Sequence, residues 1–123
     1  MFLGIKNRID RELSRYISDV NRSYSFRKIS PLLFQVIKDF ISRGGKRVRP
    51  VLFLAGYLGF SRKAAPGLYR SALSIELMHD FMLVHDDIID KSATRRGKPS
   101  LHELLNNHLA GHRHVKFSGQ DLA

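Results

Sequence analysis

The sequence contains no cysteine among its 123 residues. This absence excludes disulfide bonds, thiolate metal sites and a cysteine nucleophile, and it fits the reducing cytosol. The chain also lacks an uninterrupted apolar run long enough to span a membrane. The first residues do not form the unbroken apolar segment of a signal peptide, because four cations interrupt them: Lys6, Arg8, Arg11 and Arg15. We therefore expect a cytoplasmic protein with no transmembrane segment.

Acidic side chains are scarce, and the resulting positive charge is unevenly distributed. The chain carries a formal net charge of +10. Residues 1–50 contain 12 lysines and arginines against 4 acidic residues, so this part supplies most of the surplus. Such a surplus favours an anionic partner, whether nucleic acid, a lipid surface or a phosphorylated substrate, and charge alone does not distinguish these classes.

The spacing of apolar residues predicts an all-α chain, with no stretch that has the pattern of a strand. The first predicted helix is amphipathic with a basic outer face, so it either docks on a core or lies on a membrane surface. The last predicted helix begins at Ser118, too close to the final residue to be stable alone, so we interpret the chain as truncated. The predicted helices cover about residues 5–20, 31–42, 51–60, 66–91 and 100–108.

Three carboxylates lie near the end of the longest predicted helix. Asp86 and Asp90 are one helical turn apart, and Asp87 is adjacent to the first of them. Apolar neighbours surround them, and acidic charge opposes the helix dipole at this end, so the cluster needs cations to neutralise it. Oxygen ligands of this kind suit Mg²⁺, which keeps several waters and bridges to substrate phosphates.

A basic loop, Gly44–Pro50, precedes the third predicted helix. Its two glycines permit close approach of the backbone, and three cations follow within four residues: Lys46, Arg47 and Arg49. This arrangement is typical of phosphate binding, although many basic loops are simply solvated. Arg95 and Arg96, just past the acidic cluster, form a second pair of guanidinium groups.

Histidine residues suggest a rival site. Two His-Asp pairs, His79-Asp80 and His85-Asp86, resemble those of metal phosphohydrolases. Both pairs lie on one predicted helix, six residues apart, so they point in different directions and do not readily hold one metal ion. We expect the other histidines to be solvated on the surface: His102, His108, His112 and His114.

Four segments in order, taken together, resemble the trans-isoprenyl diphosphate (polyprenyl) synthases. They are Gly44–Pro50, Glu76–His79, His85–Asp90 and Arg95–Pro99, and the resemblance extends over about residues 30–123. It implies the N-terminal portion of an isoprenoid-synthase helical bundle that carries the first aspartate-rich motif of the family. The second motif of the family is absent from these 123 residues, so residues 1–123 are expected to form an incomplete synthase domain.

The same resemblance implies a role for each residue in condensing isopentenyl diphosphate with an allylic diphosphate. It also implies a Mg²⁺ cofactor and a homodimeric or heteromeric assembly. Asp86 and Asp90 would bind the metal, with Asp87 in support. Arg95 would hold the allylic diphosphate. Four other residues would hold isopentenyl diphosphate: Lys46, Arg49, His79 and Arg96.

Product length depends, by the same resemblance, on bulky residues that precede the acidic motif. Phe81 and Met82 lie five and four residues before Asp86. Helical geometry favours Met82, which is closer to the direction of Asp86, whereas the resemblance favours Phe81 and a short or medium product near geranylgeranyl diphosphate. We choose Phe81, because phenylalanine is the more rigid side chain.

Two rival functions stay open at this point. The chain is either a prenyltransferase, inactive as this fragment alone, or a non-catalytic partner subunit that keeps a diphosphate site. A nucleic-acid binder is disfavoured, because the cations cluster at glycines near an acidic site and do not extend along one face with interleaved aromatics.

Overall fold

The computed structural model describes residues 2–111 and 118–123. Most of these residues are helical, and the sheet among them has two strands of two residues each. The fold is therefore all-α, as predicted, with a small hairpin added. The elements are α1 (Phe2–Tyr24), α2 (Phe26–Ile29), α3 (Pro31–Ser42), α4 (Val48–Phe60), α5 (Leu68–Ile89), β1 (Thr94–Arg95), β2 (Lys98–Pro99), α6 (Leu101–Leu109) and α7 (Gly119–Leu122).

The first helix docks on the core. Ile9, Leu13 and Ile17 recur along one face of α1 and are buried. They pack in one apolar cluster with residues of α4 and α5, including Leu54 and Leu73. Burial of this face, which would be costly to leave in water, selects the docked alternative for α1. Within the described residues, no helix has both the length and the apolar character needed to cross a membrane.

A second apolar cluster joins α3 to α6. Val36 and Phe40 of α3 pack against Leu101 and Leu105 of α6, and all four are buried. The cluster places α6 beside the end of α3. The hairpin between α5 and α6 therefore lies near the loop that connects α3 to α4.

The hairpin was not predicted. β1 and β2 pair antiparallel, with Arg95 opposite Lys98, and two residues connect them. Both connecting residues have positive φ, 54° at Arg96 and 72° at Gly97. This is the backbone of a type I′ turn, which matches the twist of a two-stranded ribbon. Glycine adopts it freely, whereas Arg96 needs other contacts to hold it there.

Several helix boundaries differ from the predicted ones. The short helix α2 was not predicted. Helix α4 begins at Val48, two residues before Pro50, because Arg47 with φ 50° forms the preceding cap. Helix α5 begins at Leu68 and not at Pro66, because Gly67 with φ 80° leaves the proline in the turn before it.

The last helix is held by a close contact with α6. Ser118 and Asp121 form a capping box at its start, which confirms Ser118 as the predicted cap. The amide of Gly119 donates to Oδ1 of Asn106 at 2.7 Å. A Cβ at Gly119 would lie 2.2 Å from the carbonyl oxygen of His102. Only glycine therefore allows α7 to approach α6 this closely.

Candidate functional site

The basic loop before α4 turns one of its cations inward. Nε of Arg47 donates to Oδ1 of Asp10 at 2.9 Å, and Nη1 donates to Oε1 of Glu76 at 2.6 Å. Nη2 donates to the carbonyl oxygen of Ile41 at 3.0 Å. Arg47 is only 3% exposed. The guanidinium therefore ties together α1, α3 and α5 at the point where the loop turns into α4.

Buried charges around Arg47 stabilise one another. Loss of solvent lowers the pKa of Arg47, but the hydrogen bonds that Arg47 donates to Glu76 and Asp10, together with the negative charges of these two residues, outweigh this effect, so the pKa is raised. Burial alone would raise the pKa of Asp10, but the hydrogen bonds from Lys6 and Arg47 and their positive charges lower it by more, so the net shift is downward. Arg47 and Asp10 therefore each favour their charged form, and the contacts of Arg47 hold three helices together.

The neighbouring cations of the loop face solvent. Lys46 and Arg49 are exposed on either side of the buried Arg47. Nη1 of Arg49 lies 3.0 Å from Nε2 of His79 on α5. Partial burial lowers the pKa of His79, and the charge of Arg49 lowers it further. Because arginine only donates, Nε2 of a neutral His79 accepts this hydrogen bond and the ring proton lies on Nδ1.

The side chain of Arg96 returns from the hairpin to the same loop. Its Nη2 donates to Oδ1 of Asp80 at 3.3 Å, and its Nη1 donates to the carbonyl oxygen of Arg43 at 3.1 Å. The guanidinium lies over Gly45, where an added Cβ would be 3.4 Å from the guanidinium carbon. The guanidinium of Arg96 therefore lies at van der Waals distance above the second glycine of the loop.

Lys46 and Arg96 line the same open depression. Its volume is about 720 Å³. Gly44 and Gly45 contribute backbone to its wall, and the other lining residues are Phe2, Lys6 and Val48. The depression thus combines one exposed cation, Lys46, and two half-buried ones with glycine backbone, which is the chemistry that recognises a phosphate group.

Sequence reasoning considered Asp80 only in the rival His-Asp site, whereas the structure links it to this depression through Arg96. Asp80 is 4% exposed. Burial raises its pKa to about 6, the charge of Glu76 adds to the rise, and Arg96 and Arg47 oppose it. A signal was present in the sequence, because Asp80 follows Glu76 by four residues and so shares its face of α5.

The acidic cluster at the end of α5 is divided by burial. Asp87 is fully buried, at 0% exposure, and Nε of Arg95 donates to both its oxygens at 3.0 and 3.2 Å. This hydrogen bond raises the pKa of Arg95, and the nearby charges of Asp86 and Asp90 add to the rise. Asp86 and Asp90 are both exposed. Arg95 thus neutralises one of the three carboxylates, and two are left to meet a cation.

No group of three or more histidine, aspartate or glutamate side chains within residues 2–111 and 118–123 is arranged to hold a metal ion. The rival His-Asp metal site is not supported either, because His79 contacts Arg49 while Asp80 pairs with Arg96. His85 packs edge-on against Phe81, with ring centroids 4.4 Å apart. The two dyads therefore face different neighbours.

Phe81 and Met82, the predicted chain-length residues, lie in different surroundings. Both are more than half exposed. Phe81 lines an apolar cavity of about 200 Å³ between α3, α5, α6 and α7, and Met82 is not among its lining residues. Asp80 also lines this cavity. Phe81, which the resemblance favours as the chain-length residue, therefore lies at the wall of this cavity.

One of the histidine expectations was wrong. His102 is buried at the start of α6, and its Nε2 lies 3.5 Å from Oε1 of Glu103. Its backbone carbonyl lies where α7 packs on α6 at Gly119, a tertiary contact that local spacing does not reveal. His112 and His114 lie outside the described residues.

The fold and the site define an all-helical protein with a cationic depression and an acidic helix end. The chain belongs to the polyprenyl synthetase family, whose model matches residues 30–112. Its all-α architecture is that expected of the isoprenoid-synthase bundle. No solved structure matches the chain.

Curated relatives are named as prenyl-transferring enzymes. The chain is 40% identical over 82 residues to a prenyl transferase of Porphyra purpurea, covering 65% of this chain and 25% of the relative. It is 34% identical over 107 residues to the short chain isoprenyl diphosphate synthase of Methanocaldococcus jannaschii, covering 87% and 29%. It is 32% identical over 99 residues to the geranylgeranyl diphosphate synthase of Saccharolobus solfataricus, covering 74% and 29%. The chain thus spans less than a third of the length of these relatives.

Proposed function

We propose that this chain supplies the diphosphate-binding and first metal-binding part of a trans-prenyltransferase. The reaction joins isopentenyl diphosphate to an allylic diphosphate and gives a short or medium product near geranylgeranyl diphosphate. One observation carries the proposal: Lys46 and Arg96, far apart in the sequence, line one open depression over glycine backbone. The names of the relatives support the choice of reaction.

The cations of the depression would hold isopentenyl diphosphate. Lys46 and Arg96 share the depression, while Arg49 and His79 contact each other and so act as a unit. Arg47 takes no part in binding, because its donors are engaged beneath the loop. This division places the exposed cations on a loop that Arg47 keeps rigid, which lowers the entropy lost on binding.

The end of α5 would hold the allylic diphosphate. Asp86 and Asp90 are exposed carboxylates one turn apart, and this donor set fits Mg²⁺ that keeps water and substrate oxygens in its coordination sphere. The bound ion would supply positive charge that stabilises the departing diphosphate. Asp87 holds Arg95 in place through Nε and Nη2, and we assign Nη1 of Arg95 to the allylic diphosphate.

Calorimetry with inorganic diphosphate tests the binding part of the proposal. We expect Lys46→Ala and Arg49→Ala each to weaken binding by about tenfold, because each removes a charged hydrogen bond. Lys63→Ala is the matched control, since Lys63 is an exposed cation in the connection between α4 and α5. An equal loss with Lys63→Ala would show attraction by net charge alone and would overturn the proposed site.

A non-catalytic partner subunit is the second candidate. The observation that favours it is a set of exposed apolar side chains on α4 and α5, which a partner would cover: Leu52, Phe53, Phe60, Met78, Phe81 and Met82. Radiolabelled isopentenyl diphosphate and an allylic diphosphate distinguish the two candidates. We expect no product from these 123 residues alone; a partner subunit would gain activity only when its catalytic chain is added.

A further inference from the structure

The guanidinium of Arg96 is fixed before any ligand arrives. Arg96 occupies the first central position of the type I′ turn, with φ 54°, a backbone conformation unfavourable for a side chain with a Cβ. Its Nη1 and Nη2 are held by the carbonyl of Arg43 and by Asp80, on two different elements. The side chain thus spans the space between the hairpin, the end of α3 and the middle of α5.

A reciprocal contact locks the hairpin to α3. Nη1 of Arg43 donates to the carbonyl oxygen of Pro99 at 2.6 Å, while the carbonyl oxygen of Arg43 accepts from Arg96. Asp39 holds the other edge of the Arg43 guanidinium, at 3.1 Å to Nε and 3.0 Å to Nη2. The carbonyl oxygen of Arg43 that accepts from Nη1 of Arg96 is therefore fixed, and Asp80 is the side chain that orients the other end of the guanidinium through Nη2.

The carboxylate of Asp80 lowers the stability of the fold. Its side chain is buried, and its Oδ2 has no hydrogen-bond partner within the described part of the chain. Its neighbour Glu76 is also acidic, and burial raises the pKa of Asp80 to about 6. A buried carboxylate with one oxygen unpaired is destabilising, so its presence calls for a role other than stability.

We propose that Asp80 is a positioning residue that orients the guanidinium of Arg96 over Gly45 and beside Lys46, so that the depression is ready to bind a diphosphate group. This inference rests on the proposed function, because it assumes that Arg96 contacts the diphosphate. Asp80 itself lines the apolar cavity, not the depression, and reaches the depression through Arg96. Its effect on binding is therefore indirect.

The experiment is a double-mutant cycle on the 123-residue chain, with inorganic diphosphate as the probe. Asp80→Ala removes the acceptor, and we expect it to weaken binding by about fivefold to tenfold, because Arg96 must then be ordered on binding. Asp80→Asn keeps an acceptor oxygen, and we expect it to restore binding to within about threefold of the parent chain. In an Arg96→Ala background, Asp80→Ala should cause no further loss.

Each outcome decides one question. A loss with Asp80→Ala that persists in the Arg96→Ala background would show a general structural defect and overturn the positioning role. Tighter binding with Asp80→Ala would also overturn it, because Asp80 would then compete with the ligand for Arg96. If Lys46→Ala and Arg96→Ala both leave binding unchanged, the proposed function fails. If those two weaken binding while Asp80→Ala does not, only the role of Asp80 fails. Circular dichroism of each variant confirms that it is folded. Asp80→Asn keeps nearly the same side-chain volume, so its effect on binding does not come from an empty space left in the core.

Discussion

The loop that opens α4 and the acidic end of α5 divide their charges in the same way but anchor them differently. Each turns one charged residue inward, Arg47 in the loop and Asp87 in the helix. Arg47 bonds to partners far away in the sequence, Asp10 and Glu76, on two other helices. Asp87 pairs with Arg95, only eight residues further along the chain. The cationic site therefore depends on the tertiary fold, whereas the acidic site is held by a local contact.

The largest effect should come from breaking the distant anchor. Arg47→Met would leave the buried carboxylate of Glu76 without this guanidinium, while the half-buried Asp10 would keep Lys6, and we expect it to lower the free energy of unfolding by about 3–5 kcal/mol. The adjacent Lys46→Met, on an exposed position, should change it by less than about 0.5 kcal/mol. Urea denaturation followed by circular dichroism measures both. Equal effects of the two substitutions would mean that the two regions are not anchored differently.

The acidic end should respond to ligand and metal together. We expect Mg²⁺ to bind weakly alone and about tenfold or more tightly with inorganic diphosphate present, because two carboxylates need further oxygens to complete the coordination. Asp86→Asn with Asp90→Asn should abolish this coupling, whereas Asp87→Asn should keep it. Calorimetric titration with Mg²⁺, with and without diphosphate, gives the comparison. Equal Mg²⁺ affinity under both conditions would contradict the expectation.

A pH titration should distinguish the buried carboxylate of Asp80 from the anchoring ion pairs. Burial raises its pKa from 3.8 to about 6 in the folded chain, so the folded state holds the proton more tightly. The stabilisation is full below about pH 4 and is lost as the pH rises through about 6. Asp80→Asn removes this cost, and we expect it to raise the free energy of unfolding by about 1–2 kcal/mol at pH 7.5.

The measurement for Asp80 is urea denaturation at pH values from 4 to 7.5 in steps. The difference in stability between Asp80→Asn and the parent chain should grow with pH over this range. A difference that is constant with pH would show that Asp80 does not titrate there.

The smallest expected effect concerns the chain-length residues. Residues 30–112 can be grafted in place of the matching segment of the Saccharolobus solfataricus geranylgeranyl diphosphate synthase. In that chimera we expect Phe81→Ala to lengthen the product by roughly one isoprene unit, because it opens the apolar cavity that Phe81 lines. Met82→Ala is the matched control and should leave the length unchanged. Chromatography of the dephosphorylated products gives the answer, and the reverse pattern would favour Met82.

The helices could be predicted from sequence because their signals are local. The apolar spacing of Ile9, Leu13 and Ile17 and the Ser30 cap before Pro31 each act within a few residues. The hairpin could not be predicted, because its two-residue strands are too short to show alternation and its turn begins with arginine.

The division of charges within the candidate site was also hidden from the sequence. Lys46 and Arg47 are adjacent cations with similar local surroundings, and only the distant carboxylates of Asp10 and Glu76 decide which one is buried. In the same way, the burial of Asp80 depends on how α3 and α6 cover α5. Spacing and family resemblance could predict which charged residues belong to the candidate site. Which of these residues face inward depends on tertiary packing.

The contact between Arg49 and His79 makes the cationic site observable by nitrogen NMR. Because Nη1 of Arg49 donates to Nε2, neutral His79 carries its proton on Nδ1, the less common form of free histidine in water. The two ring nitrogens of this tautomer have well-separated ¹⁵N shifts, so labelled His79 reports on whether Arg49 is still its partner. A ligand that draws Arg49 away would let the proton return to Nε2, and the exchange of the two shifts would record site occupancy without any added probe.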